Sequence, residues 1–364
     1  MANDNSLDKA RRNINAIDTK MRELFVERMK AAEVIAEYKA ERGLAIYDAA
    51  REEEIIARNS AEVESDTVRE YYVNFIRSNM AVSRAYQSRL MHGMRVAYSG
   101  TEGAFAHIAT VKLYPEAEKV AYPDFVSAYR AVEAGECDVA VLPVENSFNG
   151  EVGQVTDLMF SGSLYVNRMY ELLVTQDLLG VKGAVLEDVR EVISHPQALG
   201  QCAEYIRAHG FTEKEYGNTA LAARKVAELG DKSVAAIASA EAADIFGLTV
   251  LDHDINASRS NTTRFAVFSR VANKNTGEKM GTYSILLFTV RNKAGALARA
   301  IDVIGAHGYN MRTLRSRPMK ELTWEYYFYI EVEGNVQSEV GSSMIEELGE
   351  YRDKLKFAGT YITI

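Results

Sequence analysis

The chain has 364 residues, 47% of them apolar and 26% charged, and a formal charge of −9 at pH 7. That length suits two or three domains rather than one core, and the negative charge argues against a general nucleic-acid binder. Two cysteines, Cys137 and Cys202, are too few for a disulfide scaffold and suit a reducing compartment.

The opening MANDNSLDKARR has no apolar core, so no secretory signal is expected and the cytoplasm is the expected location. No apolar run approaches the roughly 20 residues that span a bilayer. Residues 6–92 hold one glycine, Gly43, and no proline. Ile14, Ile17, Met21, Leu24, Phe25, Val26, Met29, Ala32, Val34 and Ile35 recur at helical spacing. The pattern predicts a helix from Leu7 to Arg42 stopped by Gly43. A second is predicted from Asp48, as N-cap, to Asn59, and a third over 62–90. The first is too long to bury its stripe within one 90-residue segment, which points to a helical dimer. Arg28 and Lys39, eleven residues apart, return to one face of that helix, and Arg11 points elsewhere. Asp48, Arg51 and Glu52 share a face of the second helix, and Ser83 and Gln87 share one on the third. Each set alone reads more plainly as solvated surface.

From Met94 the texture changes. RVAYSG, CDVAVLPVEN, VREVISHP and SVAAIAS read as strands. AFAHIATVKLY, DFVSAYRAVEAGE and QALGQCAEYIRAHG read as helices. The alternation predicts a parallel or mixed α/β sheet. SGTEGAF at 99–105 lacks the middle glycine of a dinucleotide fingerprint, and no Cys/His cluster has zinc spacing. The polar strand ends VENS, ISHPQ and NTTRF fall where open sheets bind ligands. Asn261, Thr262, Thr263 and Arg264 form one polar run into a strand. It reads either as a turn whose hydroxyls bond the backbone or as a strand end offering a proton donor and a cation to an anion.

Residues 271–281 are polar and glycine-containing, and are expected to be a linker. Strand, helix, two strands, helix and strand then follow, the βαββαβ order of a ferredoxin-like unit.

These stretches carry resemblances. Residues 1–92 resemble the all-helical chorismate mutase domain, through LDKARRNINAIDTKMRELFVERM, the lysine of AEYKAE, and IYDAAREEE. The resemblance implies that Arg11 of a second chain and Arg28 grip substrate carboxylates. Lys39 and Gln87 would meet the ether oxygen, and Glu52 the ring hydroxyl. Asp48, Arg51 and Ser83 would support binding. Such a rearrangement needs a compact conformer and charge stabilisation, not a nucleophile.

Residues 93–271 resemble prephenate dehydratase, through AYSGTEGAFAH, LPVENSFNGEV, ISHPQALGQC and NTTRFAVFSR. The family implies two α/β lobes, periplasmic-binding-protein-like, around a cleft. Thr263 would be its key threonine, and Arg264 would lie near the substrate carboxylates or fix the geometry. Glu145, Asn146, Ser194 and Gln201 match other cleft positions. His195 and His253 are further candidate acids, with packed turn residues as the plainer reading.

Residues 281–364 resemble an ACT regulatory domain. Gly295, Ala296, Leu297 and Ala298 match one ligand-binding stretch and Arg315, Ser316, Arg317 and Pro318 the other, with arginine where the family has glutamate. Phenylalanine is the implied allosteric ligand. The resemblance as a whole implies a bifunctional enzyme taking chorismate to prephenate and then to phenylpyruvate. No metal or other cofactor, nucleic acid or membrane is expected. The competing readings are preference for arogenate, a non-catalytic amino-acid sensor, and a mutase fused to a dehydrogenase.

Overall fold

The computed structural model describes residues 2–258, 260–273, 281–291, 293–319, 325–349 and 352–363. Most of the expected 271–281 linker, 274–280, lies outside them. The chain divides into two compact units, Met1–Arg95 and Val96–Ile364.

The first unit is three helices, α1 (Ala2–Arg42), α2 (Ala49–Ala61) and α3 (Asp66–His92). Gly43, at φ 62°, ends α1 in the left-handed region that glycine enters without penalty. The Asp48 carboxylate accepts the Arg51 N–H and caps α2. α3 starts four residues later than the apolar pattern predicts. Glu62 is the C-cap of α2, and the Ser65 hydroxyl accepts the Val68 N–H to open the next helix. Ala32 and Ala36 of α1 are buried, and Ile56, Ile76 and Met80 form a small core. Most of the rest of the α1 stripe is open: Ile14, Ile17, Leu24, Val34 and Ile35 are all exposed.

The second unit contains two sheets. The strands and helices of its first half are β1 (Arg95–Ser99), α4 (Phe105–Leu113), β2 (Glu118–Tyr122), α5 (Phe125–Glu133), β3 (Val139–Asn146), β4 (Gly150–Glu151), α6 (Gly153–Ser161) and β5 (Tyr165–Leu173). The chain then enters a second lobe: β6 (Asp177–Gly180), β7 (Glu191–Ser194), α7 (Pro196–Gln201), α8 (Ala203–His209), β8 (Thr212–Glu215), α9 (Thr219–Leu229), β9 (Val234–Ala238), α10 (Ala240–Phe246) and β10 (Thr249–Asp252). It returns through β11 (Thr262–Ser269). The second lobe's sheet runs β10-β6-β9-β7-β8 and is mixed. β3 and β9 are nearly continuous apolar runs because helices cover both faces of their sheets.

The C-terminal segment folds as β12 (Thr282–Val290), α11 (Ala296–Ala306), β13 (Met311–Pro318), β14 (Tyr326–Glu333), α12 (Glu339–Leu348) and β15 (Arg352–Thr363). This is the expected βαββαβ order. Leu286, Phe288, Ile304, Ile330 and Met344 are buried together as its core, each contributing roughly 1.5–3 kcal/mol. Its sheet does not stop at its own edge. β15 pairs in parallel with β5 at Ile362↔Arg168 and Thr363↔Met169, giving one sheet in the order β13-β14-β12-β15-β5-β11-β3-β1-β2. Gly359, at φ 133°, allows this approach, because a Cβ there would collide with the Val166 backbone.

Candidate active sites

In the helical unit the structure brings two of the expected residues, Arg28 and Ser83, into direct contact. Arg28 of α1 reaches α3, where its guanidinium donates to the Ser83 hydroxyl and, at 3.4 Å, to the Asn79 carbonyl. Burial lowers the Arg28 pKa and the charge of Glu52 opposes that shift. Lys39 is half-buried and donates to the Ile46 carbonyl. Gln87 is 8% exposed, and its amide oxygen has no partner among the described residues. An unmet buried amide is costly unless a ligand completes it.

Three of the expected residues have partners of their own within the unit. Asp48 spends its carboxylate on capping α2. Arg51 turns outward to Glu54 at 2.8 Å, because i, i+3 pairing on an exposed face needs no ordered pocket. Glu52 is taken by Arg84, which sequence reasoning missed. Arg84 follows Ser83 and precedes Gln87 by three positions, so spacing could have found it. Arg11 lies exposed beside Asp8 at 3.8 Å, clear of these groups.

In the α/β unit a cavity of about 400 Å³ lies between the lobes, lined from both. Asn146, at the end of β3, and Thr263, at the start of β11, are register partners and both face it. The Asn146 amide nitrogen donates to Thr263 Oγ1 at 3.0 Å and to Asn261 Oδ1 at 2.7 Å. Its oxygen accepts the backbone N–H groups of Phe148 and Asn149, both at 3.0 Å. Only the carbonyl oxygen can accept from those donors, so the amide orientation is determined. Thr263 Oγ1 is therefore an acceptor toward Asn146, and its own proton is free to point into the cleft.

Side chains alternate across a strand, so the next register pair, Arg264 and Glu145, turns to the opposite face. Neither lines the cavity. Arg264 donates to Glu145 and Glu331, both at 3.2 Å, and to the Tyr361 hydroxyl at 2.8 Å. Burial would lower its pKa, but Glu331, with Tyr361 and Tyr329, outweighs this and raises it. Its guanidinium is thus directed to Glu145, Glu331 and Tyr361 and not to the residues that line the cavity.

Ser194 also moves out of the site. It is fully buried and its hydroxyl donates to the Ile237 carbonyl at 2.6 Å, because β7 is interior to its sheet. Gln201 lines the cleft and accepts from Gln176 at 3.4 Å. His195 lines it too, but its Nδ1 accepts the Gln197 N–H and caps α7. His253 is exposed beside Asp177 at 3.3 Å and lies off the cleft. Cys202, buried below α7, is pushed up to about 12 by desolvation and the nearby Asp177, and so remains a thiol.

Two cleft residues were not singled out. Asn261 and Gln176 are each 2% exposed, and the Asn261 nitrogen and Gln176 oxygen have no partners among the described residues. Asn261 opens the polar run quoted above, but nothing local distinguishes it there from a turn residue. Among the described residues lining the cleft there is no lysine or arginine, and Glu151 adds a carboxylate, so attraction for an anion has to come from backbone. α4 and α6 begin at the cavity with Ala104 and Val152 as N-caps, neither offering a side-chain acceptor. Free N–H groups and the positive end of the helix dipole favour an anion there.

A second cavity, about 460 Å³, lies in the C-terminal segment between the start of α11 and β14. Gly295, Ala296, Leu297 and Ala298 line it, with Arg291, Lys293, Glu325 and Phe328. Arg315, Ser316, Arg317 and Pro318 do not. β13 is an edge strand whose arginines reach the α/β body: Arg315 pairs with Glu145, and Arg317 with Asp157 at 3.0 Å and Glu151 at 3.5 Å.

Two family models match parts of the chain. The model of chorismate mutase type II matches residues 10–88, and that of prephenate dehydratase matches 96–273. A bifunctional chorismate mutase/prephenate dehydratase of Neisseria gonorrhoeae is 31% identical over 357 residues, covering 96% of this chain and 95% of that protein. Among solved structures, a protein described as a novel type of quorum quenching acylase superposes with a TM-score of 0.69 at 30% identity, covering 74% of this chain and 98% of its own. A prephenate dehydratase from Arthrobacter aurescens in complex with L-Phe superposes at 0.67 with 26% identity, covering 74% and 90%.

Proposed function

Because the chain belongs to the bifunctional chorismate mutase/prephenate dehydratase family, we propose that each activity resides in one of the two constellations above. The enzyme rearranges chorismate to prephenate and converts prephenate to phenylpyruvate. In our reading Arg28, Lys39, Glu52, Ser83 and Gln87 form the mutase pocket. Arg11 of a second copy completes it, in a dimer that covers the exposed α1 stripe. Lys39 and Gln87 stabilise charge on the ether oxygen as its C–O bond breaks. The donation from Arg28 to Ser83, which joins α1 to α3, supports this placement.

For the second step, Thr263 hydrogen-bonds the departing hydroxide while CO₂ leaves and the ring becomes aromatic. The single observation that carries this reading is the donation from Asn146 to Thr263 Oγ1, which leaves the threonine proton for the substrate. The amino ends of α4 and α6 receive the substrate's carboxylates, a role Arg264 does not fill. The C-terminal module is an ACT domain whose cavity at Gly295–Ala298 takes phenylalanine and reduces flux.

The test is one time course on the purified full chain given chorismate, following chorismate, prephenate and phenylpyruvate with and without phenylalanine. Transient prephenate followed by phenylpyruvate is expected, with phenylpyruvate formation slowed by phenylalanine. Accumulation of prephenate alone sinks the dehydratase assignment, and indifference to phenylalanine sinks the regulatory one.

A further inference from the structure

The C-terminal module places a charged residue behind the dehydratase centre. Glu331, on β14 of that module, is 0% exposed. Its carboxylate accepts from Arg264 at 3.2 Å and from the Tyr329 hydroxyl at 2.6 Å. Tyr361, on β15, gives the same guanidinium a second acceptor at 2.8 Å. Arg264 follows Thr263 directly, and its register partner Glu145 precedes Asn146. Glu145 in turn takes Arg315 from β13. The two residues that meet in the cleft therefore have immediate neighbours tied, on the opposite face, to three strands of another module. The β3–β11 register shifts between Arg264 and Phe265, so the pairing that brings Thr263 to Asn146 ends at an irregularity.

We propose that Glu331 is a positioning residue for the dehydratase reaction, holding Arg264 so that β11 presents Thr263 to Asn146, and that the C-terminal module is thus a structural part of that site as well as its regulator. Arg315 has the matching role on the other strand, through Glu145. This accounts for an arginine at 315, where the family resemblance leads one to expect a glutamate: a carboxylate there would face Glu145. The proposal rests on the reading of Thr263 and Asn146 as the dehydratase centre.

The experiment uses the full-length enzyme, with prephenate as dehydratase substrate and the mutase rate of the same preparation as internal control. Glu331→Gln is expected to lower dehydratase kcat roughly tenfold or more, the scale on which small misplacements of reacting groups act. The KM for prephenate and the mutase rate stay within about twofold, since nothing is removed that would touch substrate. Glu331→Asp recovers most of the loss. In an Arg264→Lys background Glu331→Gln adds less than about a twofold further loss, because the residue acts through that guanidinium. A kcat within about twofold of wild type overturns the proposal. So does a raised KM with kcat unchanged, or a full tenfold loss again in the Arg264→Lys background. If Glu331→Gln does not fold, Tyr361→Phe replaces it, removing one acceptor and no charge; unchanged kcat there overturns the proposal equally. Thr263→Ala separates the two readings. If that variant keeps dehydratase activity, the assignment of the centre has failed, whatever Glu331 does.

Discussion

The amide nitrogen of Asn146 lies 3.0 Å from the hydroxyl oxygen of Thr263, 117 residues away in the chain. The two backbone N–H groups that hold the Asn146 oxygen set the direction of that bond. In the proposed reaction Asn146 thereby serves the threonine as a donor rather than as a nucleophile. Thr263→Val removes the donor at almost constant volume and should lower dehydratase kcat by roughly 10²-fold or more. Asn146→Asp should also be severe, because a carboxylate would capture the threonine proton. Both leave chorismate consumption within about twofold, measured on the same protein; a parallel loss of both activities would contradict the division of labour.

Lys39 offers a different signature. It holds the Ile46 carbonyl and is half-buried, and it is assigned to the ether oxygen in the proposed mutase reaction. A cation that meets the ether oxygen only as charge develops there contributes to the transition state far more than to the ground state. Lys39→Ala should therefore reduce mutase kcat roughly 10²–10³-fold, with a much smaller change in KM. Steady-state kinetics with chorismate distinguish this from a carboxylate-binding role, which would appear chiefly in KM.

Gly359 marks where the C-terminal module joins the α/β body. Its positive φ and its approach to the Val166 backbone leave no room for a methyl group. Gly359→Ala should destabilise the second unit by roughly 3 kcal/mol or more, since neither strand can yield. Denaturant unfolding followed by tyrosine and tryptophan fluorescence would report it, and an unchanged midpoint would exclude a strained junction.

Lys356 carries a pH dependence of definite sign. Burial lowers its pKa to about 8, with Glu133 opposing the shift. Between about pH 8 and 10.5 the unfolded chain binds the proton that the folded chain releases. This lysine's contribution to stability thus rises with pH across that window, and its cost is greatest below it. The melting temperature of Lys356→Met minus that of wild type should be highest at pH 7 and fall toward pH 10. A difference that grows with pH would reverse the sign and reject the assignment.

Much of this was legible in the chain. The helical period of residues 6–92, the α/β alternation from Met94 and the terminal βαββαβ order are local properties, governed by the spacing of apolar side chains. Asp48 and Gly43 mark helix ends because capping and left-handed backbone are also local chemistry. The chemistry-bearing stretches were visible for a related reason: unbroken polar runs such as 261–264 interrupt the pattern that burial demands.

What the chain alone left open was direction. Adjacent residues on a strand face opposite ways, so Thr263 enters the cleft and Arg264 leaves it. No sequence motif distinguishes the two without knowing which face is covered. Ser194 was lost to the cleft because its strand is interior, and Arg51 to the mutase pocket because Glu54 lay within reach on the same helix. Arg84, Gln176, Asn261 and Glu331 emerged only from packing, through partners or unmet atoms contributed by distant segments. Spacing along a helix or strand decides what a residue can reach, but burial and the choice of long-range partner decide what it does reach. Those belong to the tertiary structure, because the energy of a charge depends on what surrounds it.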